Sequence, residues 1–255
     1  MNQNNNRAVR SRRPKLRYLA GLGAAIATLL VGCTDTTEPA QPAGSVAATT
    51  QAPLAPVEVA ALEGLLVPVG EVNTIVGANA LQVAWSGSGL NDHTSKYDVP
   101  ECVSALSVGH RPLFDGSGWI AARGQRVEDD PLKHGGSQRV ISFATQKAAD
   151  AFMATAEQQW SACAGRRVVK TRNDGTPATW MLGELSNVNG YLTMTNVLEG
   201  GDGWTAQRVL TARNNVVIDV GLFSYDGSDE ASRIAGDIAA KIPGVPQQST
   251  SATHN

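Results

Sequence analysis

Apolar residues recur at every second position in three runs: Trp180 and Leu182, then Leu192, Met194 and Leu198, then Ile218, Val220 and Leu222. A period of two sends successive side chains to opposite sides of a pleated strand, so each run presents one apolar face. Turn-forming strings separate the runs: Asn-Val-Asn-Gly at 187–190, Gly-Gly-Asp-Gly at 200–203 and Asn-Asn at 214–215. Short turns join antiparallel neighbours, so this half of the chain is expected to form a meander. Earlier strands are expected at 81–85, 119–123 and 139–143.

Elsewhere the period lengthens to that of a helix. Leu62, Leu65 and Leu66 fit a helix that Pro68 ends, and Val72, Ile75 and Val76 fit a short turn stopped by Gly77. A longer helix is expected over about 145–164, with Ala149, Phe152, Ala156, Trp160 and Cys163 on one face. Another is expected over 228–241, carrying Ala231, Ile234, Ala235, Ile238, Ala239 and Ile242, with Ser228 as its cap and Pro243 as its stop. The pattern implies an α+β domain over 57–242, an antiparallel sheet with flanking helices that cover one of its faces.

The N-terminus carries a different signal. Six basic residues and no acidic one precede the uncharged run at 18–32, which ends in Leu30-Val31-Gly32-Cys33. A basic region followed by a short apolar region is an export signal, and the run falls short of the roughly 20 residues that a helix needs to cross a bilayer. The last four residues resemble the bacterial lipobox, whose cysteine becomes an acylated N-terminus. Residues 1–32 are therefore expected to be a lipoprotein signal peptide, with Cys33 anchoring the chain to the extracytoplasmic face of the cell membrane. The alternative is an ordinary signal peptide with a cysteine near its cut. Arg12-Arg13 also resembles a twin-arginine signal, although Lys15 stands where that motif prefers an apolar residue, so both export routes stay open.

Cleavage before Cys33 removes six of the chain's 21 basic residues and leaves 15 against 23 acidic ones, a net charge near −8. Such a surface repels nucleic acid and anionic headgroups, which excludes nucleic acid as a partner by charge. Residues 33–56 hold four prolines among Thr and Ala and little to bury, so they are expected to act as a disordered tether reaching roughly 25–30 Å. Residues 243–255 are expected to be a disordered tail on the same grounds.

Five strings between 100 and 220 resemble one family: Pro-Glu-Cys-Val-Ser-Ala-Leu at 100–106, Asp-Gly-Ser-Gly-Trp at 115–119, Gln-Gln-Trp-Ser-Ala-Cys-Ala at 158–164, Gly-Gly-Asp-Gly-Trp at 200–204 and Arg-Asn-Asn-Val-Val-Ile-Asp-Val at 213–220. They are similar to the PknH-like extracellular sensor domain of mycobacterial receptor kinases, which also occurs alone in lipid-anchored envelope proteins. The resemblance implies an antiparallel sheet with flanking helices and a broad ligand cleft. It brings no enzymatic activity, no cofactor and no kinase segment. It also implies a disulfide between Cys102 and Cys163, in keeping with the pairing of thiols in an exported protein. A second disulfide usual in the family is replaced here by Ala206 and Phe223. If Asn214 and Asn215 form a two-residue turn, these two face each other, as do Arg213 with Val216 and Val209 with Val220.

That register separates two faces of the hairpin. Val209, Thr211, Ile218, Val220 and Leu222 form the more apolar one, expected in the core. Trp204, Arg208, Leu210, Asp219 and Phe223 share the other, which reads either as a cleft wall or as a solvated face with one cross-strand ion pair. Trp119 and Trp204 each follow a Gly-rich turn, where a tryptophan either lines a ligand groove or shields a hairpin end. Trp119, Trp204, Arg208, Asp219 and Phe223 are therefore the candidate ligand-binding residues. Trp160 reads as core. Asp202 lacks a ladder of oxygen ligands and reads as a turn residue, and the acidic run 128–130 reads as a solvated loop.

No enzymatic motif is present. His93, His110 and His134 sit in expected loops outside any zinc spacing, and no nucleophile elbow, phosphate loop or dinucleotide fingerprint occurs. Two readings follow: a tethered sensor-like domain holding a small or amphiphilic ligand, or an envelope protein that docks another protein. An enclosed apolar cleft of several hundred Å³ favours the first and a flat apolar patch the second.

Overall fold

In a computed structural model, which describes residues 54–225 and 227–244, nine strands form one sheet. Its strands are β1 (Gln82–Gly87), β2 (Ala121–Glu128), β3 (Gly135–Ser142), β4 (Arg167–Thr171), β5 (Pro177–Met181), β6 (Ser186–Val188), β7 (Tyr191–Leu198), β8 (Thr205–Arg213) and β9 (Val216–Ser224). The order is β1-β2-β3-β9-β8-β7-β5-β4, with β6 also pairing β7. Every pairing is antiparallel, which agrees with the expected α+β meander. The β8–β9 hairpin turns at Asn214 and Asn215, with Asn214 at φ 52°, and its register pairs Arg213 with Val216, Val209 with Val220 and Ala206 with Phe223, as the turn implies.

The helices are α1 (Leu62–Leu65), α2 (Val69–Val76), α3 (Arg111–Phe114), α4 (Gln146–Cys163) and α5 (Glu230–Ala240). Gly77 ends α2 at φ 67°, while the Ala78 amide reaches back to the Asn73 carbonyl at 2.9 Å. Thr145 caps α4 by accepting from the Ala148 amide, and α4 buries the five residues expected of it. Ser228 is not the cap of α5. Asp229 holds that position without a side-chain bond, and the Ser228 amide instead donates to Glu230 Oε2.

The helices do not cover one face only. On one side α4, α3 and the 3₁₀ segment Pro100–Ala105 pack over Ile141, Met194, Ala206 and Leu210. On the other, α1, α2 and α5 pack over Val140, Val209, Ile218 and Val220. The central strands β3, β8 and β9 are thus buried on both faces. A strand in that position reads as a continuous apolar run, as 216–218 does, and not as an alternation. The strand β4 lies outside the sequence expectation because Val168 is its one fully buried apolar residue.

The disulfide joins Cys102 to Cys163, tying the 3₁₀ segment to the end of α4 across 61 residues. Cys33, the signal peptide at 1–32, nearly all of the tether and most of the tail lie outside the described residues.

Candidate functional site

The face expected to be a cleft wall or a solvated surface is neither. Arg208 and Asp219 are each 1% exposed and meet at 2.6 Å between Nη2 and Oδ1. Asp219 Oδ2 also accepts from the Gly109 amide at 2.7 Å. Arg208 Nη2 donates to the Ser104 carbonyl at 3.1 Å, Nη1 donates to the Val220 carbonyl, and the guanidinium lies 5.4 Å from the Trp160 ring. Trp160 in turn donates from Nε1 to Ser104 Oγ at 3.1 Å. The pair therefore fastens the 3₁₀ segment and the loop that follows it onto the middle of the sheet.

Arg139 stands beside Asp219 in the β3–β9 register, so two buried guanidiniums flank one carboxylate. Burial pulls the Arg139 pKa down, against the pull of Asp219, and its guanidinium lies 4.6 Å from the Trp85 ring. Burial likewise holds the Tyr97 phenol up at about 12, with the Arg208 charge opposing. His110 is buried, its Nδ1 has no partner among the described residues, and burial lowers its pKa. Arg208, Asp219, Arg139 and His110 are shut off from solvent, so the cluster acts as a structural pin with the half-buried Tyr97 beside it.

The other candidates are dispersed. Trp119 is half-buried against the α4 side of the core. Trp204 is half-buried and meets the exposed Tyr225 edge-on at 4.7 Å, at the end of the sheet where β8 begins. Phe223 packs edge-on against Trp180 at 6.1 Å, opposite the small Ala206 in the β8–β9 register. Asp202 takes φ 50° in its turn.

Two of the open spaces among the described residues bear on ligand binding. The first, walled by Val76, Leu81, Leu222 and Phe223 with His134 and Glu230 at its rim, has room for about 20 Å³, one water molecule. The second is a groove of about 430 Å³ between the α1–α2 elbow and the β1–β2 edge, lined by residues 66–68, 86–88 and 123–125 with Glu63. Its floor is fixed by Gln138, which accepts from the Val67 amide at 2.8 Å and donates to the Val67 carbonyl at 2.7 Å. Gln138 Nε2 also reaches Gln125 Oε1 at 3.3 Å.

Arg123, half-buried in this groove, donates among the described residues to its own neighbour alone, the Ala122 carbonyl, at 2.9 Å. Neither Arg123 nor the exposed Glu63 has an ion-pair partner among the described residues. A half-buried cation without an ion-pair partner depends on water for its solvation. No sequence motif marks these residues. The groove is assembled from three segments, and its floor joins residues 71 apart, Val67 and Gln138.

Comparison with known proteins places the chain. The model of the PknH-like extracellular domain matches residues 57–241. The serine/threonine-protein kinases PknH of Mycobacterium bovis and Mycobacterium tuberculosis are each 30% identical over 192 residues, 74% of this chain. The chain spans about a third of those relatives, 32% and 30% of their lengths. The crystal structure of the extracellular domain of PknH from Mycobacterium tuberculosis superposes with a TM-score of 0.69 at 29% identity, covering 73% of this chain and 97% of that domain. The chain belongs to the PknH-like extracellular domain family.

Proposed function

We propose that the chain is a lipid-anchored, extracytoplasmic, sensor-like domain that binds a ligand in the groove between the α1–α2 elbow and the β1–β2 edge and catalyses no reaction. The observation that carries this reading is the groove itself: about 430 Å³, open, with the unpaired charges of Arg123 and Glu63 on its walls. The apolar space near Phe223 has room for about one water molecule, too little for an acyl chain, which favours the groove with its polar lining as the place for a ligand. Membership of a family described as an extracellular domain supports the location, and Cys33 supplies the anchor at the cell membrane. Non-enzymatic function is supported by the match, which is to the extracellular domain of a kinase and not to its catalytic domain.

A second reading has its own observation. Met181 and Val197 face each other across β5 and β7 and are 38% and 45% exposed, an apolar pair on a sheet surface. Such a surface suits an envelope protein partner that needs no small ligand. Native extraction of the chain from its own envelope, with mass spectrometry of what co-purifies, tests the two. A bound polar ligand lost on Arg123→Gln supports the first. An empty groove with a stoichiometric protein lost on Met181→Asp overturns it.

A further inference from the structure

The strand β1 is an edge: it pairs with β2 alone, and no other backbone group among the described residues meets its outer side. Its sequence, Gln-Val-Ala-Trp-Ser-Gly, carries no charge, and five of its six residues are exposed. Sheets commonly guard such an edge with lysine, proline or a covering loop. Here the guard is weak, and the 430 Å³ groove runs alongside.

The pleat of β1 sorts what lies on each side. Ser86 shares a face with Gln125 and hence with the groove, whereas Trp85 pairs with Arg126 on the opposite face. There the indole lies back across Gly87, where a Cβ would sit 2.9 Å from the ring, and rests on the Arg139 guanidinium. Arg139 in turn lies over Gly124, where a Cβ would meet its Cγ at 2.6 Å. Trp85 is thus a flat aromatic ledge beside the open edge, 39% exposed.

We infer that β1 accepts an extended peptide as a tenth strand, and that this peptide is the ligand class of the groove; the inference rests on the groove being the binding site. An added strand places alternate side chains on opposite faces, so one set enters the groove and the other meets Trp85. The groove-facing residue is acidic, because the half-buried Arg123 lacks a counter-ion whereas Glu63 is exposed to water. The Trp85-facing residue is apolar. A second copy of this chain is the poorer occupant. The register of β1 shifts between Val83 and Trp85, and such a bulge twists an edge away from another rigid sheet, whereas a single flexible strand follows it.

The test is hydrogen exchange of the full chain in detergent micelles, with the acetylated and amidated heptapeptide Thr-Ser-Val-Glu-Val-Ser-Thr at millimolar concentration. The amides of 82–87 that point away from β2 slow in its presence. Replacing the peptide's Glu by Gln weakens binding about fivefold, that difference disappears in Arg123→Gln, and Trp85→Ala weakens both peptides. Methylating alternate peptide nitrogens abolishes the protection. Outward-pointing amides of 82–87, those not bonded to β2, overturn strand addition if they stay fast with peptide, and equally if they are already slow in the free chain, which means a second copy or another segment of this chain sits there. A small molecule co-purifying in an Arg123-dependent way without protecting 82–87 overturns the peptide and leaves the groove as the binding site.

Discussion

The Asp219 carboxylate bridges Arg208 on the adjacent strand and the Gly109 amide on the loop above, at 2.6 and 2.7 Å, inside a sheet covered on both faces. A buried ion pair is costly to break because the partner left behind keeps its charge without water. Arg208→Met alone should cost about 3–5 kcal/mol, and Asp219→Leu alone a similar amount. The double variant should be more stable than either single one, though short of the parent because Gly109 and Ser104 lose their partners. Urea unfolding of the four proteins reads this cycle. Additive losses would show that the two groups act separately.

The Cys102–Cys163 bond closes a loop of 61 residues between buried elements. The chain-entropy model assigns such a loop about 4 kcal/mol. Cys102→Ala with Cys163→Ala should therefore lower the unfolding free energy by about 2–5 kcal/mol while keeping the sheet, as read by circular dichroism and denaturant titration.

His110 supplies the pH dependence near neutrality. Burial lowers its pKa from 6.5, with Asp92, Asp219 and Asp115 opposing and His93 reinforcing the shift. The unfolded chain then binds more protons than the folded one once the pH falls below about 6.5. Stability should be full above that value and decline as the pH falls toward the lower folded pKa. Glu230 adds a second decline below its ordinary 4.5. Burial raises its pKa, but bonds from Gln207 and the nearby amides outweigh burial and hold it down. His110→Gln should flatten the profile between pH 7 and 5, measured by thermal unfolding.

Asn215 stitches the start of the domain to the hairpin tip. Its Oδ1 accepts from the Val57 amide at 2.7 Å, and its Nδ2 donates to the Phe143 carbonyl at 2.8 Å and the Val57 carbonyl at 3.2 Å. Asn215→Ala should cost about 1–3 kcal/mol. Hydrogen exchange should accelerate at 55–61 more than in α4, which places the loss at the start of the domain.

The residues that were legible in the sequence share a property: each obeys a local rule. Asn214 and Asn215 set the hairpin register by forming the turn, and the stripe from Ala149 to Cys163 repeats at helical spacing. Two-sided burial of β9 was not legible as alternation, because Val216, Val217, Ile218 and Val220 are apolar toward both layers. Arg208 and Asp219 were legible as a cross-strand pair, but what covers them comes from residues about a hundred positions away. Of the groove nothing was legible, since Arg123, Ser86 and Val67 meet only through the β1–β2–β3 pairing and the Gln138 contact.

Anchoring through Cys33, as proposed, would decide where the groove works and what it meets. Mass spectrometry of the N-terminal peptide from the chain purified out of its native membrane tests it most directly. A mature chain that begins at Cys33 and carries a diacylglyceryl group on Sγ is the expected result; one that begins elsewhere, with no acyl mass, would contradict a membrane-tethered sensor.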